Sequence, residues 1–495
     1  MIDRITIDGA GAIAVAIATG LLLLTIVTIA LVSLAIVPRN RRPQSALAWL
    51  LLIFILPIVG FLLYLSLGSR RLPRRRRDKQ VEINQYILDT TVGMDDVSRR
   101  DSLPPWLMPI AQLNRNLGSM PLVGGNAAEL ITDYGASLHA MTAEVEAATR
   151  SVHVEFYIMS VDDETEPFFA ALSRAVERGV TVRVLFDHVA SLRVRGYRGM
   201  LRRLRDAGVQ WHRMLPVRPW KGQYQRPDLR NHRKFLIVDG RVAFTGSQNL
   251  IERTYHRGPH WSGRLQWKEL MVRFEGPIVA GIDALFATDW YSETDELLLR
   301  ETPAIVEADP SRILDAQVVP SGPAFEGENN LRLFNSLLYA AQKQIHICSP
   351  YFVPDESMLY AITTAAQSGL DVQLFVSEIG DQPLVFHAQR SYYEELLRAG
   401  VRIWLYRAPT VLHAKHVTID DQVAVIGSSN MDMRSFSLNL EVSVMVRGEG
   451  VVRELRVIEE SYRVESTELT LDDWMRRPRH MQIFDNLARL TATVQ

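Results

Sequence analysis

Two stretches of this chain carry the same four polar residues at the same offsets, and that duplication restricts the fold more than any other feature. The first runs Asn231-His232-Arg233-Lys234 through Asp239 to Gly246-Ser247-Gln248-Asn249; the second runs Leu412-His413-Ala414-Lys415 through Asp420 to Gly427-Ser428-Ser429-Asn430. In both, His to Lys is two residues, His to Asp seven, His to Ser fifteen and His to Asn seventeen. The flanking patterns repeat as well. Val152–Ile158 is strand-like, a helical stretch then ends at Gly179, and a second strand-like run covers Val180–Phe186; Ile345–Cys348, Gly369 and Val372–Val376 follow the same order. Gly208 before Val209 and Gly400 before Val401 mark a further helix-to-strand joint. A repeat of about 190 residues, present twice, predicts two homologous α/β halves and not a solenoid.

Extended-chain geometry explains the spacing. His and Lys two positions apart project from one face, and the apolar residues after them continue into a core. Asp239-Gly240 and Asp420-Asp421 supply turn residues, and an antiparallel return brings Gly246-Ser247 and Gly427-Ser428 beside the histidines. Each hairpin gathers imidazole, ammonium, hydroxyl and carboxamide at one end, a set suited to a phosphate group. A lone strand histidine is commonly a satisfied core residue, but a doubled constellation is not. Of 55 cationic residues only six are lysine, and two of the six, Lys234 and Lys415, hold equivalent motif positions. That fits a requirement for a compact ammonium in place of a planar guanidinium.

The N-terminus departs from the rest. Residues 9–38 contain no charged side chain, and a second uncharged stretch spans Ser45–Gly68, with Trp49 and Tyr64 near its ends. A helix crossing a bilayer core needs about 20 apolar residues, so the direct expectation is a two-helix transmembrane hairpin with spans at about 12–37 and 45–67. Pro57 lies within the second and would kink it or make it re-entrant. Arg39, Arg41 and Arg42 connect the stretches, and Ser69–Lys79 follows with seven basic residues and one acidic. The positive-inside rule then predicts cytoplasmic termini and a cytoplasmic catalytic body. The basic arm reads equally as a topology determinant or as a binding site for anionic headgroups. The single cysteine, Cys348, supplies neither an internal disulfide nor a thiolate metal centre.

The doubled His-x-Lys-x4-Asp signature followed by Gly-Ser-x-Asn resembles the phospholipase D superfamily. From about Arg41 to Val446 the chain is similar, more narrowly, to the bacterial cardiolipin synthases. The apolar stretch Ala48–Gly60, Glu155-Phe156-Tyr157-Ile158, Arg230–Lys234, Ser349–Pro354 and Arg434–Glu441 occur in the family's order. The resemblance implies an α/β fold in which two phospholipase D-type halves, each a mixed β-sheet flanked by helices, meet at the active site. It implies transfer of a phosphatidyl group from one phosphatidylglycerol to another, giving cardiolipin and glycerol through a phosphohistidine. It places His232, Lys234, Asp239, His413, Lys415 and Asp420 in the catalytic signature, with His232 the usual nucleophile. Ser247, Asn249, Ser428 and Asn430 would help the lysines hold phosphate oxygens, and Glu269 and Glu441 would orient the histidines. The turn positions of Asp239 and Asp420 point instead to a structural role. No metal and no cofactor is called for. Departures are modest: many relatives have a shorter acid and a histidine near the position of Glu269, where this chain has Leu270 and Met271.

The expected organisation is a transmembrane hairpin over 1–68, a basic arm and linker over 69–125, a first half over 126–310 and a second half with a C-terminal tail over 311–495. An insertion, Val217–Leu229, holds Arg218, Trp220, Lys221, Tyr224 and Arg226, and reads either as a headgroup-contacting loop or as an ordinary solvated one. Rival functions differ in the acceptor or the substrate. Water as acceptor makes a phospholipase D hydrolase, and another alcohol makes a different phosphatidyltransferase. A nuclease needs a basic face, yet residues 81–495 hold 44 basic and 53 acidic side chains, so nucleic acid is not an expected partner. A non-catalytic scaffold predicts a damaged motif, and both motifs are complete. The expected location is the bacterial inner membrane, with phosphatidylglycerol as the lipid partner.

Overall fold

The computed structural model describes residues 3–39, 41, 43–69, 72–91, 103–221, 223–255, 265–298, 313–325 and 327–491. Arg42, Arg70, Arg71 and the expected boundary between the halves near 310 lie outside them. The chain divides into two compact units, Met1–Arg71 and Leu72–Gln495.

In the first unit the helix Asp3–Ile36 contains an apolar run, Gly11–Ile36, with mean hydropathy 2.7. At 1.5 Å per residue that run extends ~39 Å, enough to cross a bilayer. The second apolar stretch does not form the expected continuous span. It breaks where Leu56 leaves helical geometry (φ −128°, ψ 74°) before Pro57, giving the helices Pro43–Ile55 and Pro57–Leu67. Proline lacks the N–H that would continue the ladder and crowds the preceding turn. The two pieces then fold back on each other. The Trp49 and Tyr64 rings meet edge to face at 5.5 Å, where an unbroken helix would hold them ~22 Å apart. Gly60 permits this, because a Cβ there would lie 2.8 Å from Ile53 Cα and from the Leu52 carbonyl oxygen. The Arg41 guanidinium closes the open end, donating to the Gly68 carbonyl at 2.6 Å and resting over the Tyr64 ring. Each leg, at ~20 and ~17 Å, is shorter than a hydrocarbon core of ~30 Å. The unit thus has one helix of spanning length followed by a folded-back helical pair, with the break at Pro57 where a kink or re-entrant turn was expected.

The second unit bears out the duplication strand by strand. The first half contains β1 (Val123–Ile131), β2 (Ser151–Phe156), β3 (Thr181–Asp187), β4 (Gln210–Met214), β5 (Arg230–Asn231), β6 (Lys234–Val238), β7 (Val242–Gly246), β8 (Gln266–Lys268) and β9 (Met271–Glu275). The second contains β10 (Leu314–Ser321), β11 (Gln344–Cys348), β12 (Phe352–Val353), β13 (Asp371–Ser377), β14 (Arg402–Tyr406), β15 (Thr410–Leu412), β16 (His416–Ile419), β17 (Val423–Gly427), β18 (Met431–Asp432), β19 (Asn439–Arg447) and β20 (Ser466–Leu469). Read outward from the centre, the first half runs β1-β9-β7-β6-β2-β3-β4 and the second β10-β19-β17-β16-β11-β13-β14-β20. Antiparallel pairing of β1 with β10 joins them. In each half three strands, β2-β3-β4 or β11-β13-β14, are parallel and the inner ones antiparallel, the expected mixed sheet. Central strands such as β2 and β16 are buried along their whole length, which accounts for apolar runs without alternation. Gly179, Gly208, Gly369 and Gly400 all have left-handed φ, as the helix stops they were expected to be require.

The basic arm folds as the helix Arg74–Thr90 against the helix Ile278–Thr294. Arg76 grips Glu293 through two hydrogen bonds of 2.7 and 2.8 Å, and Arg75 and Lys79 both reach Asp295. These cations sit against acids at the carbonyl-rich end of a helix, where positive charge is favoured. The arm is thus not simply a free headgroup-binding cluster: three of its cations hold it to the catalytic body.

Asp239 and Asp420 occupy left-handed turn positions (φ 54° and 51°) at the far end of β6 and β16 from the histidines. The Asp239 carboxylate accepts from the N–H groups of Thr149, Arg150 and Ser151 at 2.8–2.9 Å, and Asp420 likewise from Lys343 and Gln344 at 2.8 and 3.0 Å. Each pins its hairpin turn to the start of the neighbouring central strand. This geometry supports the structural role expected from their turn positions: four strand residues at ~3.3 Å each lie between each aspartate and its motif lysine. Burial pushes the Asp239 carboxyl up, but the three backbone donors outweigh it and hold it below the usual range. A carboxylate with a depressed folded pKa stabilises above its unfolded value of about 3.9 and loses that contribution as pH falls through the folded value. Asp239→Ala is expected to cost about 3 kcal/mol at pH 7 by orphaning buried donors. The deficit in thermal unfolding should shrink below about pH 4, and specific activity of the folded fraction should stay unchanged.

Candidate active site

The two histidines follow two short strands, β5 and β15, and each of these crosses to the other half. β5 pairs in parallel with the start of β19, matching Asn231 with Leu440; β15 pairs in parallel with β8, matching Leu412 with Lys268. The next residue on each strand is a histidine on one side and a glutamate on the other. Parallel register therefore sets His232 beside Glu441 and His413 beside Glu269. The His232 N–H donates to the Leu440 carbonyl at 2.8 Å and the His413 N–H to the Lys268 carbonyl at 2.7 Å. His232 Nδ1 lies 2.9 and 3.0 Å from the Glu441 carboxylate oxygens, and His413 Nδ1 lies 2.8 Å from both oxygens of Glu269. Both glutamates are the histidine partners that the resemblance implied, but each serves the opposite half. Sequence spacing within one half had no means of revealing that exchange.

The rest of the constellation assembles as expected. Lys234 and Lys415 are buried and each donates to the carbonyl of its own motif histidine at 2.6 Å. Burial lowers Lys234 to about 7, with Glu441 opposing, and Lys415 to about 8, with Glu269 and Glu441 opposing. Gly246 and Gly427 allow the returning strands to approach closely: a Cβ at either would lie 2.2 Å from a backbone oxygen of Leu270 or Val442. Ser247 Oγ accepts from the Leu270 N–H at 2.9 Å, and Ser428 Oγ accepts from the Val442 N–H at 3.0 Å while donating to Glu441. Asn249 accepts from the Ile158 N–H at 3.1 Å and donates to the Tyr255 hydroxyl at 2.8 Å. Asn430 donates its main-chain N–H to Ser435 Oγ, and its buried side-chain oxygen has no hydrogen-bond partner among the described residues.

The two acid–histidine pairs differ in charge. Burial pushes Glu269 up, but His413 through its charge and hydrogen bond, together with Lys415, holds it down at about 2. Burial dominates at Glu441, and Lys234 and Ser428 only partly oppose it, leaving it at about 7. Desolvation and the charges of both lysines push His232 well below the usual imidazole value. Burial also lowers His413, against the pull of Glu269. Glu269 thus opposes the burial that lowers His413, whereas at His232 both lysines act in the same direction as burial.

Several residues around the motifs were given no site role from sequence. Tyr157 packs edge-on to His232 at 4.7 Å and under Lys234 at 5.3 Å, while Tyr351 and Tyr255 each stand edge-on to His413 at 6.4 Å. Tyr157 and Tyr351 follow β2 and β11 at nearly matching places, a signal available in the repeat; Tyr255 sits in a connection without a counterpart. Its hydroxyl donates to Glu269 at 3.1 Å, joining Asn249 to the His413 pair. Beneath the first motif a buried network joins Asn231, Glu155, Arg233 and Asp289, and Arg233 Nε donates to the Glu441 carbonyl at 3.2 Å. The corresponding places beneath the second motif are Leu412, Cys348 and Ala414, so the halves are not equivalent.

Comparison with known proteins agrees with this arrangement. The family model described as "Cardiolipin synthase, PLD-like domain" matches residues 141–290 and 334–461, and "Phospholipase_D-nuclease N-terminal" matches 23–68. Cardiolipin synthase A of Pectobacterium carotovorum subsp. carotovorum (strain PC1) is 32% identical over 469 residues, covering 93% of this chain and 94% of that protein. The protein of the same name from Proteus mirabilis (strain HI4320) is 33% identical over 457 residues, covering 90% and 92%. Among solved structures, phosphatidylserine synthase of Haemophilus influenzae Rd KW20 superposes with a TM-score of 0.55 at 13% identity over 78% of this chain and 99% of that one, a likeness of fold. With two intact motifs converging on one buried site and relatives matched over nearly their whole length, the chain belongs to the cardiolipin synthase family of phospholipase D-like enzymes.

Proposed function

We propose that this cardiolipin synthase transfers a phosphatidyl group between two phosphatidylglycerol molecules, with His232 as nucleophile and His413 as acid and then base. His232 Nε2 attacks the phosphorus, and the departing glycerol oxygen takes its proton from the His413 imidazolium. The terminal hydroxyl of a second phosphatidylglycerol then gives a proton to His413 as its oxygen attacks the phosphatidyl-histidine, freeing His232 and completing cardiolipin. The carrying observation is that both motif histidines meet a buried carboxylate through Nδ1, which leaves each Nε2 for the substrate, and that Glu269 opposes the burial that lowers His413, which favours His413 as the acid. An incoming phosphodiester adds negative charge, which further favours the protonated His413. Lys234, Lys415, Asn249 and Asn430 would hold the phosphate oxygens as charge builds, with Ser247 and Ser428 fixing the strands behind them.

Purified enzyme given labelled phosphatidylglycerol as sole lipid should yield cardiolipin and glycerol. Phosphatidic acid alone would make it a hydrolase. His413→Ala should accumulate label on the protein when the substrate carries a leaving group that needs no proton, because resolving the intermediate still requires the base. His232→Ala should show neither label nor turnover.

The apolar N-terminal helix attaches the chain to a membrane. The folded-back pair Pro43–Leu67 supports a single crossing, in which Arg39, Arg41 and Arg42 share a side with the arginines after Gly68. One orientation then satisfies the positive-inside rule for both clusters: body in the cytoplasm of a bacterial cell and N-terminus across the inner membrane. Headgroup contact by the arm would rest on Arg74 and Arg75, whose side chains remain mostly exposed. An N-terminal epitope tag should be reachable by antibody after outer-membrane permeabilisation alone; protection until the inner membrane is opened would restore the two-span arrangement.

A further inference from the structure

The helix Arg479–Arg489 is amphipathic in the reverse sense from an ordinary surface helix. Its buried positions are Asp485 and Ala488, and Asp485 accepts from Arg477 at 2.6 Å and meets His387 at 2.8 Å, on the helix Pro383–Arg390. Its outer face presents Ile483, Phe484 and Leu487, each more than half exposed, with Leu490 following at 77%. These stand at i, i+1, i+4 and i+7, one continuous stripe. Water gains nothing from such a face, while the helix's one acid, Asp485, is turned inward by its ion pairs.

Charge and location identify what the stripe meets. Residues 476–495 contain four arginines and a single acid, the buried Asp485; Arg479 and Arg489 are exposed on the helix itself, Arg489 lying 3.4 Å from Glu395. Basic residues bordering a Phe/Leu/Ile face are the composition of a helix that lies in a membrane interface. The helix beneath it carries the exposed Leu384, three residues beyond Asp381, which accepts from the Tyr351 hydroxyl at 2.7 Å beside His413. The stripe is therefore a short run of contacts from the catalytic histidine of the second half. On the first half, the loop leading into His232 exposes Trp220 at 77%.

We propose that the helix Arg479–Arg489 inserts its Ile483-Phe484-Leu487-Leu490 face into the interface of an anionic bilayer and so brings the active site to lipids embedded there. This rests on the reading of the substrate as a membrane phospholipid. Insertion depth, however, is measurable without turnover.

Because the native Cys348 is buried, Phe484→Cys can be labelled selectively with an environment-sensitive fluorophore in the full chain. In vesicles containing phosphatidylglycerol the label should shift to the blue and be quenched by nitroxides on the upper acyl chain. A label that stays solvent-like and unquenched, or that cross-links between copies at high lipid-to-protein ratio, overturns the proposal. Ile483→Ser with Leu487→Ser should lower turnover of vesicle lipid about tenfold while turnover of detergent-dispersed lipid stays within about twofold. Equal loss in both would show a structural role and contradict interfacial docking. Failure of the parent enzyme on detergent-dispersed phosphatidylglycerol would instead count against the substrate reading.

Discussion

Parallel pairing of β5 with β19 and of β15 with β8 makes each half of the catalytic unit incomplete by itself. A histidine from one half finds its carboxylate on the other, and the backbone bonds that set this register, His232 to Leu440 and His413 to Lys268, are part of the same exchange. The site therefore exists only when both halves are docked. Four groups that ionise, Lys234, Lys415, Glu269 and Glu441, are taken out of water together, which is tolerable because each sits among partners of opposite sign. Both lysines stand at the motif histidines, where an ammonium group meets the negative charge that develops in a phosphodiester's transition state.

Duplication supplies two copies of the motif, and the proposed mechanism needs the two to differ. Beneath His232 lies the polar network of Asn231, Glu155, Arg233 and Asp289; beneath His413 the matching positions are Leu412, Cys348 and Ala414. Arg233 holds the main chain at Glu441, and Tyr255 holds the carboxylate of Glu269. Different scaffolding under equivalent histidines would let a two-fold arrangement separate nucleophile from acid in the proposed mechanism.

Much of this was legible in the chain. Matched offsets made the hairpins, the helix-stopping glycines and the convergence of His, Lys, Ser and Asn readable, because strand periodicity and turn chemistry are local. The turn role of Asp239 and Asp420 was visible for the same reason. What escaped was non-local. Nothing in the spacing of Glu269 or Glu441 states which half each will serve, since both readings satisfy the same offsets. Tyr255 has no counterpart in the repeat, and the ion pairs from Arg75, Arg76 and Lys79 to Glu293 and Asp295 join positions more than 200 residues apart. In the N-terminal unit hydropathy marked two apolar stretches correctly, but composition does not report the direction of the chain after Pro57. Gly60 and the Trp49–Tyr64 contact do.

The exchanged pairing is tested most directly by comparing Glu269→Gln and Glu441→Gln on two phosphatidyl donors, phosphatidylglycerol and one with a p-nitrophenolate leaving group. If Glu269 supports the acid His413 and Glu441 the nucleophile His232, the first-step defect of Glu269→Gln should be largely repaired by the good leaving group. That of Glu441→Gln should persist on both donors. The opposite pattern, rescue of Glu441→Gln alone, would contradict the account, whether by reversing the roles of the two histidines or by pairing each glutamate with the histidine of its own half.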